Sequence, residues 1–295
     1  MAVKTVQAVI NGQTHTLTYN ATTKKYEATV TAPSTSSYNQ NGHYYNVQIK
    51  ATDEAGNSVS KDATDTTLGS SLKLRVKEKV APVISITAPS SSAKLTNNKP
   101  VIKWTVTDSD SGVDPSTIKL IIDSQTITTG ITKTASGKNY TCSYTPTTAL
   151  SDGSHTIKIS ASDYDGNAAA QKSITFTVDT VPPELSVTAP IDNLVTNQAS
   201  IEVKGTTNDV TSSPVTLTIK LNNGTAQTVE VGSDGSFSKT LTLVSGENTI
   251  VITATDGAGK TSTVTKQVEL DQTAPVIQSV TITPNPVNAG ATYTI

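Results

Sequence analysis

Three stretches of this chain repeat one pattern: an alternating run that ends in an acidic, glycine-bearing turn. The first is Tyr45-Asn46-Val47-Gln48-Ile49-Lys50-Ala51-Thr52-Asp53-Glu54-Ala55-Gly56-Asn57. The second is Thr156-Ile157-Lys158-Ile159-Ser160-Ala161-Ser162-Asp163-Tyr164-Asp165-Gly166-Asn167. The third is Asn248-Thr249-Ile250-Val251-Ile252-Thr253-Ala254-Thr255-Asp256-Gly257-Ala258-Gly259-Lys260. A period of two puts Val47, Ile49 and Ala51, and their counterparts, on one side of a pleated strand. The Asp and Gly that follow supply turn chemistry. A second alternating run comes next, such as residues 173–178, so each stretch reads as a β-hairpin. The chain is therefore predicted to be all-β and built several times over.

Composition agrees. Thr accounts for 53 of 295 residues, and Thr and Val suit a half-buried pleated surface better than a helix. Charged residues are 16% and aromatics 4%. Cys142 is the one cysteine, which excludes an intramolecular disulfide framework. Arg75 is the one arginine and the net charge is −2, so the basic excess of a nucleic-acid binder is missing. No run of 18 apolar residues occurs, so no membrane insertion is expected. The start Met1-Ala2-Val3-Lys4 lacks the pattern of a secretory signal.

A second marker recurs at Ala81-Pro82-Val83-Ile84, Pro182-Pro183-Glu184-Leu185 and Ala274-Pro275-Val276-Ile277, with Pro82, Pro183 and Pro275 spaced by 101 and 92 residues. Such a period, filled with short strands, fits antiparallel sandwiches in series. Proline fixes φ and donates no hydrogen bond, so it marks a stiff junction. The predicted organisation has four parts. Residues 1–79 form a variant, incomplete unit. Residues 80–180 and 181–273 form complete units. Residues 274–295 carry the opening strands of a further one. At roughly 3.3 Å per residue, three such units strung like beads would make a rod of about 100 Å.

The Ala-Thr-Asp-x-Ala-Gly-Asn turns and the Ala-Pro-Val-Ile junctions resemble the bacterial immunoglobulin-like (Big-type) repeat families. The resemblance spans nearly the whole chain and implies tandem immunoglobulin-like β-sandwiches. It implies little about function, because such modules act as spacers in many settings. Trp104, within an alternating run, is expected in a core.

The first part departs from its siblings. Runs at 6–10, 14–19 and 26–30 match 215–221, 227–231 and 237–243, but nothing precedes them. An added stretch, residues 63–79, contains the alternating run 72–77. Either this run closes a small sandwich, or an edge of the first sheet is filled by another chain. Residues 1–79 hold nine Lys/Arg and six Asp/Glu, a net +3, and the remaining 13 and 18 leave −5. Five of the nine tyrosines lie here: Tyr19, Tyr26, Tyr38, Tyr44 and Tyr45. Tyrosine favours interfaces, so these five are the candidate docking residues, unless they fill a small core.

No catalytic constellation stands out. His43 and His155 occupy equivalent positions where the third repeat has Glu247 or Asn248, which points to surface sites at strand entry rather than a catalyst. Cys142 reads as a small buried residue. Two clusters have the oxygen chemistry of a Ca²⁺ site: Asp108, Asp110 and Asp114, and Asp163 with Asp165. Asp, Ser and Gly also simply make turns, and Asp53 and Asp256 sit in sibling turns without the second Asp. No other cofactor is expected.

The resemblance leaves three settings open. One is a non-catalytic structural part of a bacteriophage or phage-like tail, at a baseplate or fibre. It would be made in the host cytoplasm and located in the virion. Its partners would be other tail proteins, copies of itself, or a host cell surface, and the first unit would dock. The second is an adhesin or stalk on a bacterial surface. The third is an accessory region of a secreted polysaccharide enzyme.

Overall fold

The alternating runs become strands, and the acidic turns between them are built around the motif aspartate. Asp53 accepts the Asn57 amide at 2.8 Å and the Asn57 side chain at 3.1 Å. Asp163 treats Asn167 the same way, at 2.8 and 2.6 Å. Gly56, Gly166 and Gly259 take φ of 87°, 92° and 93°, a region that suits glycine. At the third turn Lys260 replaces the asparagine. Asp256 still receives the Lys260 amide at 2.9 Å, but its Oδ2 is buried with no partner.

The computed structural model describes residues 2–295, which divide after Thr180 into two compact units, 2–180 and 181–295. In the first part of unit 2–180, six strands form one antiparallel sheet: β1 (Val3–Ile10), β2 (Gln13–Asn20), β3 (Lys25–Glu27), β4 (Tyr45–Asp53), β5 (Ser58–Lys61) and β6 (Lys73–Leu74). Their order is β3-β2-β1-β4-β5, with β6 also on β4. Asn11 and Gly12, both at positive φ, close the β1–β2 hairpin in register, so that Ala8 faces His15 on one side and Ile49 on the other.

Nine strands make the sandwich that completes this unit: β7 (Val83–Ala88), β8 (Lys94–Leu95), β9 (Ile102–Thr107), β10 (Val113–Ile122), β11 (Gln125–Ile127), β12 (Thr132–Ser136), β13 (Asn139–Tyr144), β14 (Gly153–Asp163) and β15 (Lys172–Val178). One sheet runs β12-β13-β9-β7 and the other β11-β10-β14-β15-β8. Trp104, Ile102 and Cys142 from the first sheet meet Leu120, Ile157 and Ile159 from the second, all fully buried. Burial pushes the Cys142 thiol up to about 11, with Lys133 pulling weakly the other way.

Unit 181–295 repeats the plan with β16 (Glu184–Ala189), β17 (Leu194–Thr196), β18 (Ser200–Asn208), β19 (Thr216–Leu221), β20 (Gln227–Val229), β21 (Ser236–Thr242), β22 (Gly246–Thr255) and β23 (Thr261–Leu270). The sheets are β16-β18-β21 and β17-β23-β22-β19-β20. Gly205 lets β18 lie against β16 and Phe237. A Cβ there would sit 2.0 Å from the Ser186 carbonyl oxygen.

Three expectations differ from what forms. The run 26–30 is a strand only to Glu27, and residues 28–32 are exposed with no ladder partner. Its counterparts β13 and β21 pair with β9 and β18, and among the described residues the first sheet has no equivalent of those strands. The run 72–77 yields only the two-residue β6, because a 3-10 turn occupies Gly69–Leu72. Residues 271–295 are exposed and carry a single bridge, Thr283 to Thr294, rather than two opening strands.

Candidate functional site at the first junction

The polar side chains that alternation keeps off the sheets collect where the first sheet meets the second sandwich. The segment before Pro82 supplies Lys77 and Glu78. The Glu78 amide donates to Asp165 at 3.0 Å, and Lys77 Nζ donates to the Asp165 carbonyl at 3.1 Å. The Ser111 amide donates to Glu78 Oε1 at 2.6 Å. The loop after β3 adds a second set. The Ser36 amide donates to both oxygens of Asp110 at 3.0 Å, and the Asn39 side chain joins it. Lys138 bridges the Asn39 side chain and the Asp110 carbonyl. Tyr38 stacks on Tyr164 with ring centroids 5.1 Å apart and planes at 17°.

Two loops of the second sandwich reach this junction together because β10 and β14 pair there, Val113 opposite Asp163. Asp108 accepts the amides of Asp110 and Gly112 at 3.0 and 2.6 Å. The carboxylates of Glu78, Asp108 and Asp163 then lie with one oxygen each within 4.8 Å of one another. Ser111, whose amide bonds Glu78, has a buried hydroxyl without a partner. Three carboxylates at such spacing fit the ligand preferences of a hard cation such as Ca²⁺.

Asp108 and Asp163 thus come together as candidate ligands, joined by Glu78. Asp110 and Asp165 serve the junction as hydrogen-bond acceptors. Asp114 is elsewhere, bonded to the amide and hydroxyl of Ser116 at 2.9 and 2.6 Å. Glu78 escaped the motif reading, although Glu78, Asp179 and Asp271 each stand four residues before a junction proline.

The tyrosines divide. Tyr38 belongs to the junction. Tyr45 is buried, with its hydroxyl bonded to Thr35, so it fills the first part rather than facing a partner. Tyr44 lies under Lys73 Nζ at 4.9 Å from the ring centre. Tyr19 and Tyr26 touch across β2 and β3 at 5.3 Å.

His155 is buried, contrary to the surface position expected of it. Its ring lies between Asp123 at 2.9 Å and the Ser151 carbonyl at 2.7 Å, so neither nitrogen is free to serve a substrate. Burial opposes the charge on Asp123, but the His155 ring and the Thr156 amide outweigh it and hold the carboxyl below its ordinary value. Asn248, the sibling residue, is a buried latch as well, bonded to Val244 and Gly246 at 2.7 and 2.9 Å. The position varies between repeats because different polar groups close the same strand entry.

The family description "Bacterial Ig-like domain" matches residues 79–180. Residues 79–180 make a bacterial immunoglobulin-like domain. A second description, "Glucodextranase, domain B", matches residues 183–272. Over 128 residues the immunoglobulin-like chain is 34% identical to Bacillopeptidase F of Bacillus subtilis (strain 168), covering 43% of this chain and 8% of that protein. Among solved structures, an I-band fragment of titin is 12% identical with a TM-score of 0.41, over 91% of this chain and 88% of that one. The fibronectin(III)-like modules of Clostridium thermocellum CbhA are 17% identical with a TM-score of 0.37, over 64% and 94%.

Proposed function

We propose that the chain is a non-catalytic structural spacer. The observation that carries this reading is the braced first junction. Backbone amides, Asp110, Asp165 and the Tyr38–Tyr164 stack tie the first sheet to the first complete immunoglobulin-like domain. Polar chemistry that an enzyme would direct at a substrate is here used to fix one module on another.

Three settings suit a spacer. In a bacteriophage or phage-like tail, the Lys- and Tyr-rich first part would dock to the particle and the complete domains would set a distance. That setting rests on the sequence resemblance. As an accessory region of a larger enzyme, the domains would space a catalytic part elsewhere. The match to Bacillopeptidase F, of which this chain spans 8%, and the match to a glucodextranase domain favour that second setting. A bacterial surface stalk would use the same mechanics.

Immunogold labelling of a producing culture, with an antibody to residues 183–272, separates them. Gold on tail ends of released particles supports the virion setting. Gold on washed cell walls supports a stalk. Label confined to a soluble polypeptide longer than this chain supports the accessory setting. A turnover activity that survives in the purified chain would overturn the spacer reading itself.

A further inference from the structure

Unit 181–295 buries two carboxylates at one end of its larger sheet. β19 and β22 pair with Thr216 opposite Thr255, so the loop before β19 and the turn after β22 arrive side by side. Asp209 stands in the first and Asp256 in the second, 8% and 5% exposed, with one carboxylate oxygen of each within 4.8 Å of the other. The two segments are tied at the backbone, where the Gly257 amide donates to the Ser212 carbonyl at 2.7 Å. None of the ion pairs among the described residues reaches either aspartate. Two like charges so placed repel, and a buried charge without a counter-charge is costly.

Amides satisfy only part of this oxygen set. Asp209 Oδ1 accepts the Thr211 and Ser212 amides at 2.8 and 2.5 Å. Asp256 Oδ1 accepts the Ala258 and Lys260 amides at 2.8 and 2.9 Å. Asp256 Oδ2 is buried with no partner among the described residues, and so is the hydroxyl of Ser212, a residue that is 0% exposed. A buried polar atom left unpaired is rare and costly, and here two lie on segments bonded to each other. The sibling turns show what is missing, because Asn57 and Asn167 donate their side chains to the same oxygen of Asp53 and Asp163, at 3.1 and 2.6 Å. Ser212 is held beside both aspartates, with its amide on Asp209 and its carbonyl on Gly257.

We propose that Asp209, Asp256 and Ser212 form a Ca²⁺ site in unit 181–295. Two oxygens at about 2.4 Å from one ion stand at most about 4.8 Å apart, which matches the spacing of the two carboxylates. Asp256 Oδ2 gains the partner it lacks, Ser212 supplies a neutral oxygen, and water completes the roughly six to eight ligands that Ca²⁺ takes. The ion reinforces the Gly257–Ser212 bond and fastens the loop before β19 to the turn after β22. With few protein ligands, its dissociation constant should be about 0.1–1 mM. This goes beyond the spacer reading, because it makes the firmness of one domain depend on the ions around it, and it stands whichever setting the spacer serves.

Hydrogen exchange on the full chain tests this, with millimolar Ca²⁺ against chelator. Calcium at about ten times its dissociation constant should slow exchange through local opening about tenfold at residues 210–212 and 257–260. Asp256→Asn keeps a carbonyl oxygen for the Ala258 and Lys260 amides but removes the charge, and should abolish that slowing. Ser212→Ala, which leaves both carboxylates in place, should weaken calcium binding severalfold. Glu78→Gln, at the separate cluster of the first junction, should leave the slowing intact. The wild-type comparison needs no substitution, and protection of residues 250–254 reports that each variant keeps its fold. Equal exchange at residues 210–212 and 257–260 with calcium and with chelator overturns the proposal, as does slowing that survives Asp256→Asn or disappears with Glu78→Gln.

Discussion

The first sheet and the third sandwich use the same strand motif in opposite circumstances. In both, a central strand presents Val or Ile, Ile and Ala on one face and ends at an aspartate that organises the turn. In unit 181–295 a second sheet closes over that face, and Val203, Phe237 and Leu241 complete a core. In the first part, a 3-10 turn at Gly69–Leu72 lies against β4 with Leu72 buried and gives partial cover, and neither of the two large apolar clusters includes side chains of this part. The motif thus specifies a hairpin, while the opening strands decide whether that hairpin gains a core. Stability in the first part falls more heavily on hydrogen-bonded carboxylates and on the junction.

The sharpest break of this comparison is one substitution made twice. Ile252→Ala opens a cavity in a closed core and should cost about 2–5 kcal/mol, while Ile49→Ala, at the same motif position, should cost roughly half as much or less because the site is partly wet already. Chemical denaturation of the two variants, read unit by unit through hydrogen exchange, measures both. Equal costs would mean that the first face is as well covered as the third.

Acid should separate the regions next. Asp65 is held at about 2 by its hydrogen bond with Lys61 and by the Leu68 and Thr67 amides. Asp53 and Asp62 are lowered too, chiefly by the side chains of Asn57 and Thr64. A carboxylate with a depressed folded value stabilises above its unfolded value and loses that contribution as pH falls through the folded one. The first part should therefore loosen as pH drops from 3.8 toward about 2, ahead of the two sandwiches. Tyrosine fluorescence of the first part, followed against the buried single Trp104, reads the order.

A smaller effect concerns the turns. Lys260→Asn restores the side-chain donor that Asn57 and Asn167 give their aspartates, and should stabilise unit 181–295 by about 0.5–1.5 kcal/mol. An unchanged denaturation midpoint would mean that Asp256 Oδ2 is satisfied by water. The smallest effect is expected at the junction. Millimolar calcium should raise the unfolding midpoint of residues 1–180 by a few degrees, and Glu78→Gln, which keeps the acceptor for the Ser111 amide but removes charge, should abolish the rise. Identical melting curves with calcium and with chelator would assign the three carboxylates to amide bonding alone.

Much of the fold was legible because period-two alternation and Asp-Gly turns are local signals. The hairpins, the core position of Trp104 and the burial of Cys142 all follow from them. Less was legible where a residue's role depends on a neighbour far along the chain. The run 26–30 reads as a strand, yet its pairing depends on an opening strand absent from the first part. His155 reads as a variable surface position, yet Asp123, 32 residues away, buries it in a latch. The acidic clusters showed which carboxylates were available, but not that β10 and β14 would carry Asp108 and Asp163 to meet Glu78. Tyr45 and Tyr38 share a composition bias and nothing else, since one is core and the other stacks across a junction.

Hydrogen exchange of the native chain tests the central claim most directly, by following the amides of residues 47–51, 157–161 and 250–254 in one sample. Uneven cover predicts that the first set exchanges through local opening well before the other two, although all three sit in the middle of a sheet. Equal protection across the three sets would contradict it, and would mean that the first sheet is closed by a core as complete as those of its siblings.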